Sequence, residues 1–325
     1  MQYSIWVTTG CNMKCKYCYE KEKKDTMFSK ENVHQFVEFI KKTSGMKKIQ
    51  VSFFGGEPLL NFSVIKEIVL ELEKEHFEKV VYDMTTNGLL LDSEKVQFIK
   101  DKGIRISLSC DGTKKVNDHN RVDYLGNGTH DRVMEKYRML VERGIYNIRI
   151  RATVNSETYG MLKKSIEFFK SIDDDISVFF AIDYFDSNWT QEKIDELGEM
   201  IANIYREGNN NIDIIGDKKI TKSRCSGGIS SFHIYTNGDI YPCSFVINNE
   251  DFCIGDIYNG IDTKKIEKNI EIYNSKAYEC EDCDYEEYCL THKCKYLNYK
   301  LTGDLRHASP IVCQTENIKV SNIIL

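Results

Sequence analysis

Three cysteines near the start of the chain have the types and spacing to do chemistry. Cys11, Cys15 and Cys18 stand as C-x3-C-x2-C directly after Tyr3–Thr9, a run of β-branched and aromatic residues that reads as a strand. Three thiolates on one short loop can hold metal. They neither close a tetrahedral site nor complete an all-cysteine iron–sulfur cluster, which takes four. The spacing therefore builds in an open metal position, unless a zinc site borrows a distant fourth ligand. A second group lies far along the chain: Cys225, Cys243, then Cys280-x2-Cys283-x5-Cys289-x4-Cys294, then Cys313. The short spacings of Cys280–Cys294 would also suit a structural zinc, but zinc would leave Cys225, Cys243 and Cys313 idle.

The elements that must position these loops are legible in the pattern. Strand-like runs fall at Tyr3–Thr9, Lys48–Phe54, Val80–Thr86, Arg105–Ser109, Ile148–Val154 and Ile176–Ile182. Helical periodicity fills the gaps, around Val33–Lys42, Val64–Lys74, Ser93–Lys102, Arg132–Arg143 and Met161–Ser171. Strands alternating with helices at this spacing predict βαβ units and a parallel sheet. Right-handed crossovers would curve it into an open or partial barrel. The first cysteine loop then sits at the carboxyl end of a strand, the face on which such barrels build active sites. A further helix, Gln191–Glu207, precedes a polar segment, Gly208–Lys222, that reads as a joint. Beyond it, helical periodicity is weak except near Thr263–Asn274. HIYTNGDIYPC predicts a hairpin turning at Asn237-Gly238. The reading is thus an α/β chain: a partial (β/α)6 barrel over residues 1–185, a helical bridge over 186–224, and a small loop-rich, cysteine-rich unit over 225–325.

Composition excludes several classes. The balance of 44 Lys+Arg against 50 Asp+Glu gives a net charge of −6, which argues against a nucleic-acid partner. No apolar run reaches the roughly 18–20 residues that span a bilayer. The N-terminus MQYSIWVTTGCN lacks the layout of a signal peptide. A cytoplasmic protein with no membrane contact is expected, in a compartment where clustered cysteines bind metal more often than they form disulfides.

The loop Cys11-Asn-Met-Lys-Cys15-Lys-Tyr17-Cys18, with its aromatic residue before the last cysteine, resembles that of the radical S-adenosylmethionine enzymes. In that family three cysteines hold three irons of a [4Fe–4S] cluster. The fourth iron takes the amino and carboxylate groups of S-adenosylmethionine, whose reductive cleavage yields a 5′-deoxyadenosyl radical that abstracts a hydrogen from substrate. Further motifs agree. Gly55-Gly56-Glu57-Pro58 ends the second strand, where the family's GGEP contacts the methionine amino group; a glycine pair lets backbone approach a ligand closely. Thr86-Asn87-Gly88 matches the family's TNG segment, and Ser109-Cys-Asp111-Gly112 its S-x-D-G, whose serine contacts the ribose. Alternation in the fifth strand puts Arg149, Arg151 and Thr153 on one face; the resemblance points to Arg151 for the methionine carboxylate. The same alternation turns Cys110 toward the helices, where a free cysteine packs as a small hydrophobe. The resemblance thus implies cofactor contacts at Tyr17, Gly55, Gly56, Glu57, Asn87, Ser109 and Arg151.

The second cysteine group resembles the SPASM extension found in several peptide and protein maturases. Its spacing departs from the pattern once, with four residues rather than three before Cys294. By resemblance, Cys280, Cys283, Cys289 and Cys313 hold a distal auxiliary [4Fe–4S] cluster, and Cys225, Cys243 and Cys294 hold another nearer the barrel. Three [4Fe–4S] clusters are then expected. Cys253 stays open as a fourth ligand, a free thiol or a buried residue. The resemblance implies a peptide or protein substrate and an electron donor of the flavodoxin or ferredoxin type. Sulfatase maturases carry an aspartate directly after the second SPASM cysteine, used as a base when Cys or Ser is oxidised to formylglycine. Here that place is Ser244, which is no proton acceptor near neutral pH without a partner base; Asp239 or Asp251 could substitute. A ribosomal-peptide maturase is the preferred reading, forming a thioether with a substrate thiolate on an open iron. A carbon–carbon or carbon–oxygen crosslink, epimerisation and formylglycine formation are the alternatives. With the first strand at residue 3, a leader-binding domain is not expected, so a separate leader-recognition protein is a possible partner. Lys21–Lys24 reads as a solvated charge run, and His119, His130, His233 and His292 as ordinary histidines.

Overall fold

The fold is taken from a computed structural model that describes residues 1–20, 25–208, 211–214, 225–286, 288–289 and 293–324. All six expected strands form: β1 (Gln2–Thr8), β2 (Ile49–Gly55), β3 (Val80–Thr86), β4 (Arg105–Ser109), β5 (Ile148–Val154) and β6 (Ser177–Ile182). They pair in chain order, each parallel to the next. The crossovers carry α1 (Glu31–Ser44), α2 (Phe62–Glu73), α3 (Ser93–Asp101), α4 (Lys114–Asn120), α5 (His130–Glu142) and α6 (Leu162–Ile172), and α7 (Gln191–Arg206) follows β6. The sequence reading has no counterpart for α4, because KKVNDHN is short and polar and buries Asn117 and Asn120 beside Val116. Alternation sorts each strand's residues to two sides. In β5, Ile148, Ile150, Ala152 and Val154 join the hydrophobic core while Arg149 and Arg151 face away from it. Cys110 is buried in that core, as the alternation predicts.

The segment expected as a joint contains a seventh strand, β7 (Ile212–Ile214), parallel to β6. Ile212 and Ile214 are buried, and Asp213 meets the Arg149 guanidinium at 2.8 Å. Three residues were too few to register as a strand pattern. The rest of that joint and the boundary near residue 222 lie outside the described residues. So do Lys21–Lys24 and His292.

At the other edge, β8 (Ser231–Ile234) pairs parallel with β1, Gln2 opposite Ser231 and Ile5 opposite Ile234. The expected hairpin follows. β9 (Asp239–Tyr241) turns back at Tyr235–Gly238, with Gly238 at φ +94°, a left-handed position that favours glycine. Short strands β10 (Gly255–Asp256) and β11 (Gly260–Ile261) complete an eleven-stranded sheet. The cysteine-rich part is more helical than its periodicity suggested: besides α8 (Thr263–Asn274) it contains α9 (Lys295–Thr302) and α10 (Pro310–Ile324). α10 lacks a clean apolar stripe because it is held by mixed contacts with α7: Ile318 sits against Gly198, and Gln314 bonds Gln191 at 2.6 Å.

Gly55 and Gly56 explain how β1 and β2 end together. A Cβ on Gly55, at φ +132°, would lie 1.9 Å from the Thr8 carbonyl oxygen, and one on Gly56 would lie 2.1 Å from that of Gly10. The close approach that requires these glycines is thus to the backbone carrying the first cysteine loop. Gly56 N–H donates to Thr8 O and Glu57 N–H to Gly10 O, at 3.0 and 2.8 Å. Gly56→Ala is expected to prise this loop from β2. Its signature would be a fall in iron retained after anaerobic reconstitution, and full retention would refute the account.

Candidate functional site

At the carboxyl ends of β1–β6 lies a cavity of about 660 Å³. Cys11, Cys15 and Cys18 line it, together with Tyr17, Gly55, Gly56, Glu57, Asn87, Ser109 and Arg151. The seven residues implied as cofactor contacts therefore share one wall system with the three thiols. Of the second cysteine group, Cys294 also lines it. None of the described histidines singled out in the sequence, His119, His130 and His233, does so.

Backbone pairing holds the cysteine loop against the segment after α4. Lys14 N–H donates to Val122 O and Lys16 N–H to Asn120 O, at 2.8 and 2.9 Å. This delivers Arg121 beside Cys15, and Arg121 lines the cavity. Sequence reading missed Arg121, which no strand alternation or cysteine spacing marks. Beneath it, fully buried Asp111 gathers donors from four directions. Tyr17 O–H reaches it at 2.9 Å, Arg121 Nε at 3.0 Å, Asn120 Nδ2 at 3.2 Å and Thr153 N–H at 2.9 Å. Burial works against the Arg121 charge, yet the Asp111 carboxylate, together with Tyr17 and Cys15, outweighs it and holds the guanidinium above its ordinary value. Tyr17 is thereby fixed by its hydroxyl, its ring 5.3 Å from the Arg121 guanidinium.

Glu57 is buried, and three donors satisfy its carboxylate: Leu59 N–H (3.1 Å) and Thr86 O–H (2.7 Å) on Oε1, and Asn87 N–H (2.7 Å) on Oε2. It ties the end of β2 to the end of β3. Asn87 in turn donates Nδ2 to the Asn12 side chain at 2.8 Å, inside the cysteine loop. Burial pushes the Glu57 carboxyl up to about 6 despite those donors. Because the folded form holds its proton more tightly, this group's contribution is present below its unfolded value near 4.5 and is lost as pH rises through about 6. Glu57→Gln should remove that slope. It should also cost about 1–3 kcal/mol, because an amide NH2 would face the Asn87 N–H. Denaturation of both proteins between pH 5 and 7 measures this; parallel curves would contradict it.

Arg151 lies in the cavity with its guanidinium 5.1 Å from the Phe179 ring centre, whereas Arg149 is drawn to Asp213 and does not line it. Three aromatic side chains also line the cavity. Tyr19, next to Cys18, meets Phe185 at 6.3 Å, and Phe185 meets Phe245, two residues beyond Cys243, at 6.1 Å. Acidic residues in the lining are Glu20, Asp183 and Glu316 besides Glu57; Asp239 and Asp251, the substitutes suggested for Ser244, do not line it. Tyr19 adjoins the motif in sequence. Phe185, Phe245 and Glu316 reach the cavity only through tertiary packing.

The chain belongs to the radical SAM superfamily, whose family model matches residues 5–176. It is an enzyme of the α/β fold and S-adenosylmethionine-dependent [4Fe–4S] chemistry that define that class. A cysteine-type anaerobic sulfatase-maturating enzyme of Clostridium novyi (strain NT) is 24% identical over 323 residues, covering 87% of this chain and 84% of the relative. The solved structure of native anSMEcpe with bound AdoMet superposes with a TM-score of 0.84 at 19% identity, covering 99% of this chain and 97% of the other. Streptococcus suis SuiB bound to precursor peptide SuiA gives 0.71 at 18% identity, covering 96% and 75%. These likenesses confirm the α/β partial-barrel fold with its cysteine-rich C-terminal part. No described helix is long and apolar enough to cross a membrane.

The residues present fit iron–sulfur ligation. None of the twelve cysteines is joined in a disulfide. Cys15 lies within Coulombic reach of Cys11 and Cys18; Cys280 of Cys283, Cys289 and Cys313; and Cys294 of Cys243 and Cys225. Each of these neighbourhoods lies within one of the sets that the resemblance implied. Among the described residues no three Cys, His, Asp or Glu side chains converge on a single ion. Burial pushes the Cys15 thiol up to about 11 and Cys243 up to about 12, so ligation would displace protons. Lys295 adds an independent observation. It is fully buried, its Nζ makes no hydrogen bond among the described residues, and Cys280 is within Coulombic reach. A buried ammonium is costly without an opposing charge, which an anionic thiolate-bound cluster would supply. Cys253 instead donates its thiol to the Gly255 carbonyl at 3.4 Å, beside Tyr241.

Proposed function

We propose that this enzyme modifies a residue within a peptide or protein, with one cluster at Cys11, Cys15 and Cys18 and two auxiliary clusters beyond. The observation that carries this reading is the single cavity in which those three thiols, the implied cofactor contacts and Cys294 face one another. With cluster and S-adenosylmethionine bound, the pair supplies one-electron cleavage leading to hydrogen abstraction from substrate. The chain's own part is to bind, orient and shield. Three thiolates leave one position for the cosubstrate. Asn87 steadies the loop, Ser109 lies where a ribose would be met, and Arg151 and Arg121 offer cations to a carboxylate. Tyr19, Phe185 and Phe245 keep bulk water from the reacting centre. Cys225, Cys243 and Cys294 hold the nearer auxiliary cluster, with one position left for a substrate thiolate, which favours thioether formation. Cys280, Cys283, Cys289 and Cys313 hold the distal one, toward an electron donor of the flavodoxin or ferredoxin type.

The near full-length likeness to a sulfatase-maturating enzyme supports formylglycine formation as a second reading. Ser244 stands against it, and Glu20, Asp183 and Glu316 are the carboxylates in place to serve as a base. One assay separates them. The anaerobically reconstituted, reduced enzyme is given S-adenosylmethionine with either a cysteine-containing sulfatase-type peptide or cysteine-rich precursor peptides, and the products are read by mass spectrometry. A loss of two hydrogens with no free thiol remaining marks a crosslink, and an aldehyde-reactive product marks formylglycine. No 5′-deoxyadenosine from protein holding its clusters would sink both.

A further inference from the structure

Cys225 stands directly before a tight turn, Ser226–Ile229, in front of β8. The turn packs under α8 so closely that side chains are excluded: a Cβ on Gly227 would lie 2.4 Å from the Pro242 carbonyl oxygen and 2.7 Å from the Tyr273 hydroxyl. A Cβ on Gly228, at φ +72°, would lie 2.5 Å from Asn269 Nδ2. Asn269 and Tyr273 are one helical turn apart on the buried face of α8, at 4% and 5% exposure. The Asn269 amide nitrogen finds no hydrogen-bond partner among the described residues, and the Tyr273 hydroxyl lies in reach of the Cys225 thiol and the Tyr296 hydroxyl. Asn269 spends its oxygen on the Tyr296 hydroxyl at 2.5 Å, and Tyr273 meets Tyr296 edge to face, in a cluster that also packs Cys225 and Cys243. The thiol of Cys225 already accepts the Gly227 N–H at 3.5 Å.

A buried donor without an acceptor is costly in an apolar setting, and both side chains are aimed at the same cysteine turn. We infer that the Tyr273 hydroxyl donates a hydrogen bond to the Cys225 thiolate of the nearer auxiliary cluster, the Asn269 amide supporting it, and that this pair raises the cluster's reduction potential. The inference rests on the proposed ligation by Cys225, Cys243 and Cys294. A donor dipole beside a thiolate favours the more negative, reduced cluster, and hydrogen bonds to the sulfurs are among the groups that set such potentials. Tyr273 is a positioning and tuning residue in this role, with no contact to substrate required.

The test is an EPR-monitored redox titration of the anaerobically reconstituted enzyme, with iron and sulfide counted in every sample. Cys243→Ala and Cys294→Ala identify the relevant signal as the one they remove. Tyr273→Phe keeps the ring against Tyr296 and removes the donor. It should lower that midpoint by the equivalent of about a tenfold change in the reduction equilibrium, about 59 mV for a one-electron couple, and leave the other clusters unmoved. Fluorotyrosine at position 273, a stronger donor, should move it the other way, and it decides the matter if the phenylalanine variant fails to fold. An unmoved midpoint at full iron content overturns the donor role. If the two cysteine variants remove no cluster, the ligation reading itself fails, and the donor role falls with it.

Discussion

Replacing Cys11, Cys15 and Cys18 together by Ala should abolish formation of 5′-deoxyadenosine while leaving the rest of the fold in place. The three side chains line a cavity and are only partly buried, so their removal deletes little of the core. The loop's path is set by bonds that do not involve sulfur: Lys14 and Lys16 N–H to the segment after α4, and the Trp6 indole N–H to Glu20 at 2.9 Å. Iron after reconstitution should drop by about a third if each of three clusters needs its own cysteine set. Retention of both the iron and the 5′-deoxyadenosine would overturn the assignment. Loss of all iron would instead show that the auxiliary sets depend on the first.

The largest expected effect on stability is at Asp111. Its carboxylate forms the ion pair with the buried Arg121 guanidinium, at 3.0 Å. Asp111→Asn keeps the volume, removes the charge and leaves that cation uncompensated, at a cost of about 3–5 kcal/mol. It would also leave Tyr17 and the Thr153 N–H facing a weaker acceptor. Chemical denaturation of the two proteins measures the difference, and a loss below about 1 kcal/mol would contradict the account. Arg121→Met in the Asp111→Asn background should recover part of it, since the stranded charge is then gone.

The sequence showed the barrel well because each strand is a short β-branched or aromatic run and each crossover carries its own apolar face. Val80–Thr86, Arg105–Ser109 and Ile148–Val154 occur as expected to the residue. Residues bound to a cysteine spacing or a strand end were also legible, since Tyr17, Gly55, Asn87 and Ser109 take their place from their own motif. What escaped takes its place from elsewhere. Arg121 depends on a pairing between two loops over a hundred residues apart. Glu316 depends on the docking of α10 on α7, and its helix hides its pattern by packing through single contacts. The glycine pair has a further role that no local pattern reveals, because its tight neighbour is the backbone of β1 and of the loop after it. Glu57 likewise ties the end of β2 to the end of β3 through its carboxylate, which its motif does not reveal.

The parallel pairing of β8 with β1 has a consequence for biosynthesis. Residues 2–5 leave the ribosome long before the strand that covers their outer edge, since residues 231–234 follow more than two hundred residues later. Until then β1 presents open backbone groups on one side, the condition under which nascent strands pair with the wrong partner. The order of events is therefore fixed by topology: the sheet beside the first cysteine loop cannot be finished until the chain has passed Cys225. A protein truncated before β8 would carry the whole loop motif and an unprotected edge.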